Sequence, residues 1–296
     1  ELANAFTVLA NHGQSQRSRE SEHPMARRHP ASPHLPMPAW VPTEVSGSAM
    51  SALDRWFVEL VQANPQLRIR IGNPDELASN KMGTTLALLK HRVNVPEPGV
   101  PESTDGSVVT ALNEEAVAAA ALANKGGLNL IVRYEAFAVK MLGLMRQEII
   151  FARRQKELGQ PPGWISVPLI VTSHTWENSK NEQSHQDPTI GEALLGEMSD
   201  TARVLFPVDE NTACAALRAV YASRGQVACV VVSKRDTPNH FSAAAAQSLI
   251  EHGAAHVAGD PSTAQLQFVA IGAYQLEEAL KAHARLEHHG LASCIT

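Results

Sequence analysis

The apolar residues of the chain recur at intervals that predict helices and strands in alternation. From Met50 onward they fall at three- and four-residue steps, the period of an amphipathic helix, and Pro65 marks the end of that helix. Residues 67–71 predict a short strand, followed by a polar turn at residues 72–75 and the start of a further helix. The first ordered segment is therefore predicted to be a helix, a strand and a turn in succession.

A later part of the sequence repeats this alternation with longer apolar stretches. Strands are predicted at residues 128–132, 165–172, 203–206 and 226–232, with Pro168 breaking the second. Helices are predicted at residues 134–156, 190–198, 212–223 and 242–252. Strands that are apolar along nearly their whole length are typical of a parallel sheet with helices on both faces. The predicted fold is therefore α/β, and ligands of such sheets bind at the carboxyl ends of the strands.

The two ends of the chain differ from this pattern. Residues 1–46 are rich in Ser, Arg, His and Pro without an apolar period, which predicts an extended arm or linker. Metal binding by its histidines is an alternative, although none has the spacing of a helical or Cys-x-x-Cys-type site. Residues 47–258 would form the main α/β domain. Residues 259–296 would begin a further α/β domain, and the start at Glu rather than Met indicates a piece of a longer chain.

Composition narrows the classes of function. Hydrophobic residues make up 44% of the chain and charged residues 19%, which is the balance of a globular protein with a core. The formal net charge of -5 gives no reason to expect nucleic acid or an anionic membrane as a partner. Three cysteines without Cys-x-x-Cys spacing indicate reduced thiols in a cytoplasmic protein. No apolar stretch reaches the roughly 18 residues of a membrane-spanning helix.

Three polar clusters lie beside the predicted elements, at residues 73–81, 113–115 and 172–188. The third follows a buried strand directly, and loops so placed often carry functional residues. These clusters are the candidate sites of chemistry.

Each candidate also has a purely structural interpretation. His185 could be a satisfied loop histidine, and Glu114 a favourable acid in the first turn of a helix capped by Asn113. Lys234 follows another predicted strand and is either surface charge or an anion-binding group. Considered one at a time, these residues leave both interpretations open.

Taken together, four short motifs resemble bacterial phosphoketolases in their order and approximate spacing. The motifs are Asn-Pro-Asp-Glu at 73–76 with Ala-Ser-Asn at 78–80, Tyr-Glu-Ala-Phe at 134–137, Ser-His-Gln-Asp-Pro at 184–188 and Ser-Lys-Arg at 233–235. The resemblance implies the pyrimidine-binding middle domain of a transketolase-like, thiamine-diphosphate-dependent enzyme, with the start of its C-terminal domain. Such an enzyme would convert xylulose 5-phosphate or fructose 6-phosphate, with inorganic phosphate, to acetyl phosphate and an aldose phosphate.

The resemblance also implies roles for individual residues. Glu114 would be the catalytic glutamate that bonds the pyrimidine ring of the cofactor, and Phe137 the aromatic side chain that stacks on that ring. His185 would be a second catalytic residue that assists proton movement. The residues expected to line the sugar-phosphate channel are Ser79, Tyr134, Asn178, Asn181, His185 and Lys234, the last holding phosphate as a point charge. Glu115 is the alternative cofactor glutamate, because a shift of one residue would exchange the two.

One motif of the family is missing from the sequence. No Gly-Asp-Gly followed by an asparagine is present, so we expect the diphosphate and its Mg²⁺ (or Ca²⁺) to be held by a domain outside this chain. The chain alone is then expected to be inactive. Its partner would be a second subunit of a homodimer or a separate chain with the diphosphate-binding domain. A non-catalytic or split subunit, and another transketolase-like enzyme, are the alternatives.

Overall fold

The structure is a computed structural model that describes residues 2–11, 30–74, 77–177, 187–197 and 200–296. Its strands are β1 (Ser46–Ser48), β2 (Arg68–Gly72), β3 (His91–Arg92), β4 (Glu102–Ser103), β5 (Val108–Val109), β6 (Gly127–Tyr134), β7 (Val167–Thr172), β8 (Ala202–Leu205), β9 (Val227–Val231), β10 (Asp236–Pro238), β11 (Leu266–Phe268) and β12 (Ser293–Ile295). Its helices are α1 (Leu2–Asn11), α2 (Ala49–Gln62), α3 (Gly83–Leu89), α4 (Glu114–Leu122), α5 (Glu135–Ala138), α6 (Leu142–Glu157), α7 (Thr189–Leu195), α8 (Glu210–Ala222), α9 (Ala243–His252) and α10 (Ala273–His288).

Within the described residues, eight strands form one parallel sheet in the order β4-β3-β5-β2-β6-β7-β9-β8. The central strands pair over several residues, with Ile71 of β2 opposite Leu130 of β6 and Val132 of β6 opposite Ile170 of β7. Parallel strands require crossover connections, and helices supply these between the longer strands β2, β6, β7, β8 and β9. The architecture confirms the predicted α/β fold.

Helices cover both faces of this sheet. Leu128, Leu130 and Val132 of β6 join a core with α2 and α8 on one face. Ile131, which points the opposite way, joins a second core with α4 and α6. All four side chains are fully buried. Burying each such side chain contributes about 1.5–3 kcal/mol, so strands of this kind hold both helical layers to the sheet.

The prediction of one continuous helix at residues 134–156 is wrong. It is divided into α5, a 3₁₀ turn at Val139–Met141 and α6. Ala138, Met141 and Met145 keep a helical spacing across the division and are all buried. The hydrophobic period therefore continues through the turn and does not reveal it.

Pro168 does not break its strand. The N–H of Val167 is donated to the Gln226 carbonyl on the β9 side, so the next residue along β7 faces β6. β6 pairs with β7 only from Leu169 onward. A proline at position 168 therefore removes no ladder hydrogen bond.

Strands β3, β4 and β5, at one edge of the sheet, are absent from the sequence prediction. Each consists of two residues. Segments of this length contain no hydrophobic period, and pairing with a neighbouring strand is what defines them.

The arm at residues 1–46 is extended only in part. Leu2–Asn11 forms helix α1, which corrects the expectation for that segment. Residues 30–45 contain no helix or strand and run along α2 and α8. There the Trp56 indole donates to the Pro36 carbonyl at 3.1 Å, and the Asn211 side chain bonds the backbone N–H and C=O of Val41.

The C-terminal residues form β11, α10 and β12, with β11 parallel to β12. Ala273 and Leu276 of α10 and Ile295 of β12 pack in one buried cluster with Phe241 and Ala246. The division of the chain at residues 47 and 259 stays a prediction.

Candidate functional site

The candidate site lies at the carboxyl ends of four neighbouring strands, β2, β6, β7 and β9. Asn73, Tyr134, His174 and Lys234 each lie at or within three residues of the end of one of these strands. Parallel strands present their carboxyl ends at the same edge of a sheet, and this juxtaposition follows from the topology. Side chains also tie the strand ends together, since the Asn73 amide donates to the Val132 carbonyl at 2.9 Å.

Glu114 is a buried carboxylate held by two cations. Asn113 caps α4 by accepting the Ala116 N–H at 2.9 Å, which places Glu114 in the first helical turn with 8% of its surface exposed. The Arg133 guanidinium of β6 donates to Glu114 Oε1 at 2.8 Å, and the Lys140 ammonium lies 3.4 Å from the same oxygen. The neighbouring Glu115 is exposed to solvent. Of the two candidate glutamates, Glu114 is the one inside the structure.

The pKa of Glu114 is set by opposing effects. Burial, the largest single effect, raises the pKa of the carboxyl group. A hydrogen bond from its own backbone N–H and the charges of Arg133 and Lys140 lower the pKa by a larger total. The net pKa lies below the ordinary value, so this carboxylate is ionised at neutral pH.

Phe137 shares both cations with Glu114. The Arg133 Cζ atom lies 4.5 Å from the centroid of the Phe137 ring, and the Lys140 Nζ atom lies 5.2 Å from it. Arginine and lysine over an aromatic face are favourable cation–π contacts. The structure thus brings together two residues that are 23 positions apart in the sequence.

Tyr134, Ser79 and Lys234 form a second group beside the first. The Tyr134 hydroxyl and the Ser79 hydroxyl share a hydrogen bond of 2.9 Å. The Lys234 Nζ atom lies 4.5 Å from the Tyr134 ring centroid, and the Arg133 Cζ atom 5.9 Å from it. Three residues predicted to line a substrate channel therefore meet, and Arg133 connects them to Glu114.

A third group fixes the backbone that carries Lys234. Glu177, in the loop after β7, accepts the backbone N–H groups of Lys234 at 2.8 Å and Arg235 at 2.9 Å on one carboxylate oxygen. The Ser233 hydroxyl contacts that same oxygen at 3.4 Å and the Tyr274 hydroxyl at 3.2 Å. The loops that follow β7 and β9 are therefore bonded to each other and to α10.

Burial shifts the pKa values of this third group. Desolvation, followed by the nearby Arg235 charge, lowers the pKa of His174 to about 4. Desolvation raises the pKa of Glu177 above its ordinary value, although hydrogen bonds from Lys234 and Arg235 oppose it. Desolvation likewise raises the pKa of Glu135, which accepts the Thr175 N–H at 2.7 Å. His174 is thus neutral near pH 7.

Sequence reasoning does not single out Arg133, Glu135, His174 or Glu177. His174 and Glu177 belong to the polar loop after β7, but nothing local distinguishes them from its other polar residues. Arg133 has a clearer signal, because it is the one charged residue of strand β6, where burial of a charge requires a partner. Its partner, Glu114, is known only from the structure.

Three predicted site residues, Asn178, Asn181 and His185, lie outside the described residues. Among the side chains that the structure does describe, no group of three or more His, Cys, Asp or Glu residues is arranged to hold a metal ion. In the same ranges, no helix has the length and apolar character needed to cross a bilayer. The cysteines Cys214, Cys229 and Cys294 are buried free thiols.

A cavity of about 1010 Å³ lies at the opposite, amino-terminal edge of the sheet. Its basic side chains are already engaged: Lys125 is paired with Glu148, Arg68 bonds Asn124 at 2.6 Å, and Arg224 donates to the Pro30 carbonyl at 2.8 Å. The predicted site residues that are described do not line it. The candidate chemistry is therefore at the carboxyl edge.

Comparison with protein families points to the same part of the chain. The family described as D-xylulose 5-phosphate/D-fructose 6-phosphate phosphoketolase matches residues 51–223. A probable phosphoketolase of Lactococcus lactis is 26% identical over 244 residues, which cover 79% of this chain and 30% of that protein. One of Streptomyces avermitilis is 28% identical over 230 residues, which cover 74% of this chain and 29% of that protein. The chain thus spans less than a third of the length of these relatives.

Solved structures share the fold. Transketolase from Leishmania mexicana has a TM-score of 0.65 at 20% identity, covering 98% of this chain and 39% of that one. A split-gene transketolase, an inactive β4 tetramer, has a TM-score of 0.52 at 17% identity, covering 84% of this chain and 70% of that one. At these identities the likeness shows the fold alone.

Proposed function

The chain belongs to the phosphoketolase family, and we propose that it supplies the pyrimidine-binding half of a thiamine-diphosphate-dependent active site. The other half, which holds the diphosphate and its Mg²⁺ or Ca²⁺, lies in a domain outside this chain. The observation that carries the proposal is the junction of a buried carboxylate, Glu114, with an aromatic ring, Phe137, at the carboxyl edge of the sheet.

The chemistry of this junction suits an aminopyrimidine ring. Such a ring is flat, carries N–H donors and accepts stacking from an aromatic side chain. Glu114 and Phe137 already contact a planar group, the guanidinium of Arg133, which donates to the carboxylate and lies over the aromatic ring. Glu114 and Phe137 therefore fit the cofactor ring, provided that the Arg133 side chain moves away from them.

Individual residues of the chain would have distinct roles in binding and proton transfer. Bound thiamine diphosphate supplies a thiazolium carbon as nucleophile. Glu114 would hold a ring nitrogen and exchange a proton there, while Phe137 would fix the plane of the ring. Lys234 would hold the phosphate of the substrate as a point charge, and Ser79 and Tyr134 would bond its hydroxyl groups.

Three further residues complete the proposed channel. We assign Asn178, Asn181 and His185 to its wall on the sequence motif alone, with His185 assisting proton movement during cleavage. The substrates would be xylulose 5-phosphate or fructose 6-phosphate with inorganic phosphate. The products would be acetyl phosphate and an aldose phosphate, and the reaction would take place in the cytoplasm.

The proposal requires a partner because the diphosphate carries most of the charge of the cofactor, and the sequence lacks the Gly-Asp-Gly motif expected to hold it. We propose a homodimer of a longer chain, or a separate chain that brings the diphosphate-binding domain. The split-gene transketolase named above, a protein of the same fold, supports the possibility of separate chains.

The test compares the chain alone with the same chain fused behind the N-terminal domain of its Streptomyces avermitilis relative. Both are supplied with thiamine diphosphate, Mg²⁺, inorganic phosphate and fructose 6-phosphate, and acetyl phosphate is measured as its hydroxamate. We expect product from the fusion only. In the fusion, Glu114→Gln should lower turnover by about 10²–10⁴-fold, because it removes a positioned acid–base group.

The matched control is Glu115→Gln, which removes the neighbouring exposed carboxylate. It should keep turnover within about twofold, since surface substitutions have small effects. Turnover by the chain alone would refute the proposal that half of the active site lies outside it. Equal losses from the two variants, or a loss confined to Glu115→Gln, would remove Glu114 from the proposed role.

A second candidate function is a non-catalytic subunit that binds a catalytic partner. The Arg133–Glu114 ion pair favours it, because a glutamate neutralised by an arginine is already satisfied. An inactive fusion that folds and associates normally would support this candidate.

A further inference from the structure

Arg133 makes the two contacts that define the proposed ring site. Its side chain is 7% exposed and extends from the penultimate residue of β6. One nitrogen donates to Glu114 Oε1 at 2.8 Å, while the central carbon lies 4.5 Å from the Phe137 ring centroid. A single planar group thus donates to the carboxylate and lies over the aromatic ring.

The guanidinium resembles an aminopyrimidine in the properties that matter for binding here. Both are planar and delocalised, both donate N–H groups in their own plane, and both can lie against an aromatic ring. A carboxylate beside a phenyl ring can therefore accept an N–H from either group while the phenyl ring lies against it. The two groups therefore compete for the same partners.

We propose that the Arg133 guanidinium occupies the place of the cofactor's aminopyrimidine ring, so that ring binding requires Arg133 to leave Glu114 and Phe137. The inference rests on the proposed function, because it takes Glu114 and Phe137 to be the ring's partners. Arg133 thereby determines when the cofactor is admitted. It is not a catalytic residue.

Lys140 does not occupy this place. Its Nζ atom lies 3.4 Å from the same carboxylate oxygen and 5.2 Å from the Phe137 ring centroid. Its side chain is 57% exposed, however, and an exposed lysine can swing into water at little cost. A buried arginine loses its partner when it moves, so Arg133 is the group that restrains ring binding.

This arrangement gives the isolated chain a low affinity for the ring. The contacts to the diphosphate, supplied by another domain, would add the binding free energy that moves Arg133. Loading of cofactor would then follow assembly of the complete site. An occupant present in nine molecules out of ten lowers the apparent affinity of a competitor about tenfold.

The experiment measures binding of thiamine, which lacks the diphosphate, to the full chain by ligand-observed NMR and calorimetry. Arg133→Ser should raise the affinity for thiamine at least about tenfold over the wild type. Lys140→Ser is the matched control, which removes the other cation on Glu114, and it should change affinity by less than about threefold. Adding Glu114→Gln to Arg133→Ser should abolish the gain.

Each result decides the inference. Equal or weaker binding by Arg133→Ser, or binding by no variant at 10 mM thiamine, would overturn it. If the wild type bound thiamine as tightly as Arg133→Ser, and Glu114→Gln abolished that binding, the inference about Arg133 would be overturned. The proposed ring site at Glu114 would then still stand. A gain that survives Glu114→Gln would place the ring elsewhere and count against the proposed function.

Arg133→Lys covers the case in which the serine variant does not fold. Lysine keeps the charge near Glu114 but loses the planar fork of arginine. We expect it to fold as judged by circular dichroism and to bind thiamine more tightly than the wild type. Unchanged affinity in a folded Arg133→Lys variant would contradict the inference.

Discussion

At the scale of single residues, burial and charge act together on the titratable groups of the carboxyl edge. Glu114 is buried yet stays ionised, because Arg133 and Lys140 outweigh the effect of desolvation. His174 is buried beside Arg235 and stays neutral, because desolvation and the Arg235 charge both disfavour a second positive charge there. With Arg133 in place, the same edge therefore holds one titratable group as an anion and another in its neutral form.

The first prediction concerns His174. Its folded pKa of about 4 lies below the ordinary value of 6.5, so between these values the unfolded chain binds a proton that the folded chain does not. Stability therefore falls as the pH falls through this window, by about 2 kcal/mol between pH 7 and pH 5. Glutamine does not titrate, so we expect the free energy of unfolding of His174→Gln to fall by about 2 kcal/mol less than that of the wild type between pH 7 and pH 5.

Urea unfolding of both proteins at pH 7 and pH 5 measures the difference directly. Comparing the two pH values within each protein removes the cost of the substitution itself. Identical pH dependence in the two proteins would mean that His174 titrates normally in the folded state.

At the scale of secondary-structure elements, helix ends hold the loops of the site. Asp209 caps α8, with one carboxylate oxygen accepting the Thr212 N–H at 2.8 Å. The other oxygen accepts the N–H groups of His240 at 2.9 Å and Phe241 at 3.0 Å. One fully buried carboxylate thus joins the start of a helix to the segment that follows β10.

The second prediction follows from this cap. Asp209→Ala should lower the free energy of unfolding by about 3 kcal/mol, because it leaves several buried N–H groups without an acceptor. The control is Ser242→Ala, which removes the exposed cap of α9 and should cost about 1 kcal/mol or less. Thermal or urea unfolding compares the two, and equal costs would contradict the account of Asp209.

At the scale of the whole molecule, residues 259–296, here called the C-terminal unit, pack onto the helices that cover the sheet. Leu276 of α10 is 2% exposed and shares a cluster with Phe241 and Ala246. The Tyr274 hydroxyl contacts Ser233 beside the candidate site at 3.2 Å. We therefore expect residues 259–296 to unfold together with the main α/β domain.

The third prediction tests that coupling. Leu276→Ala should lower the stability of the main domain by about 2–5 kcal/mol, through lost apolar contacts and the cavity left behind. The fluorescence of the four tryptophans, all of which lie outside residues 259–296, reports the transition. The control Leu266→Ala, at a residue 46% exposed, should shift it by about 0.5 kcal/mol or less. An unshifted tryptophan transition in Leu276→Ala would show that the C-terminal unit unfolds separately.

Much of the fold was predictable because it depends on patterns that are local in the sequence. Apolar stretches such as residues 128–132 and 226–232 identify buried parallel strands, and the helical period identifies α2 and α8. Asn113 followed by two acids indicates a helix start, and α4 does start at Glu114. Each of these features is decided by neighbours within a few residues.

The remaining features depend on contacts between distant residues. The two-residue strands β3 to β5 exist only because adjacent strands pair with them, and the division of the helix after Tyr134 leaves the apolar period unchanged. Their physical cause is tertiary packing, which a local pattern does not encode.

The sequence alone determined an α/β protein with polar residues at the ends of apolar strands, and its motifs indicated a thiamine-diphosphate enzyme. Only the tertiary structure decided which partner satisfies Glu114, because Arg133 reaches it from another element, 19 residues away. Whether a buried charge is free or paired depends on where the chain folds its counter-charge. That position is set by the order of strands in the sheet.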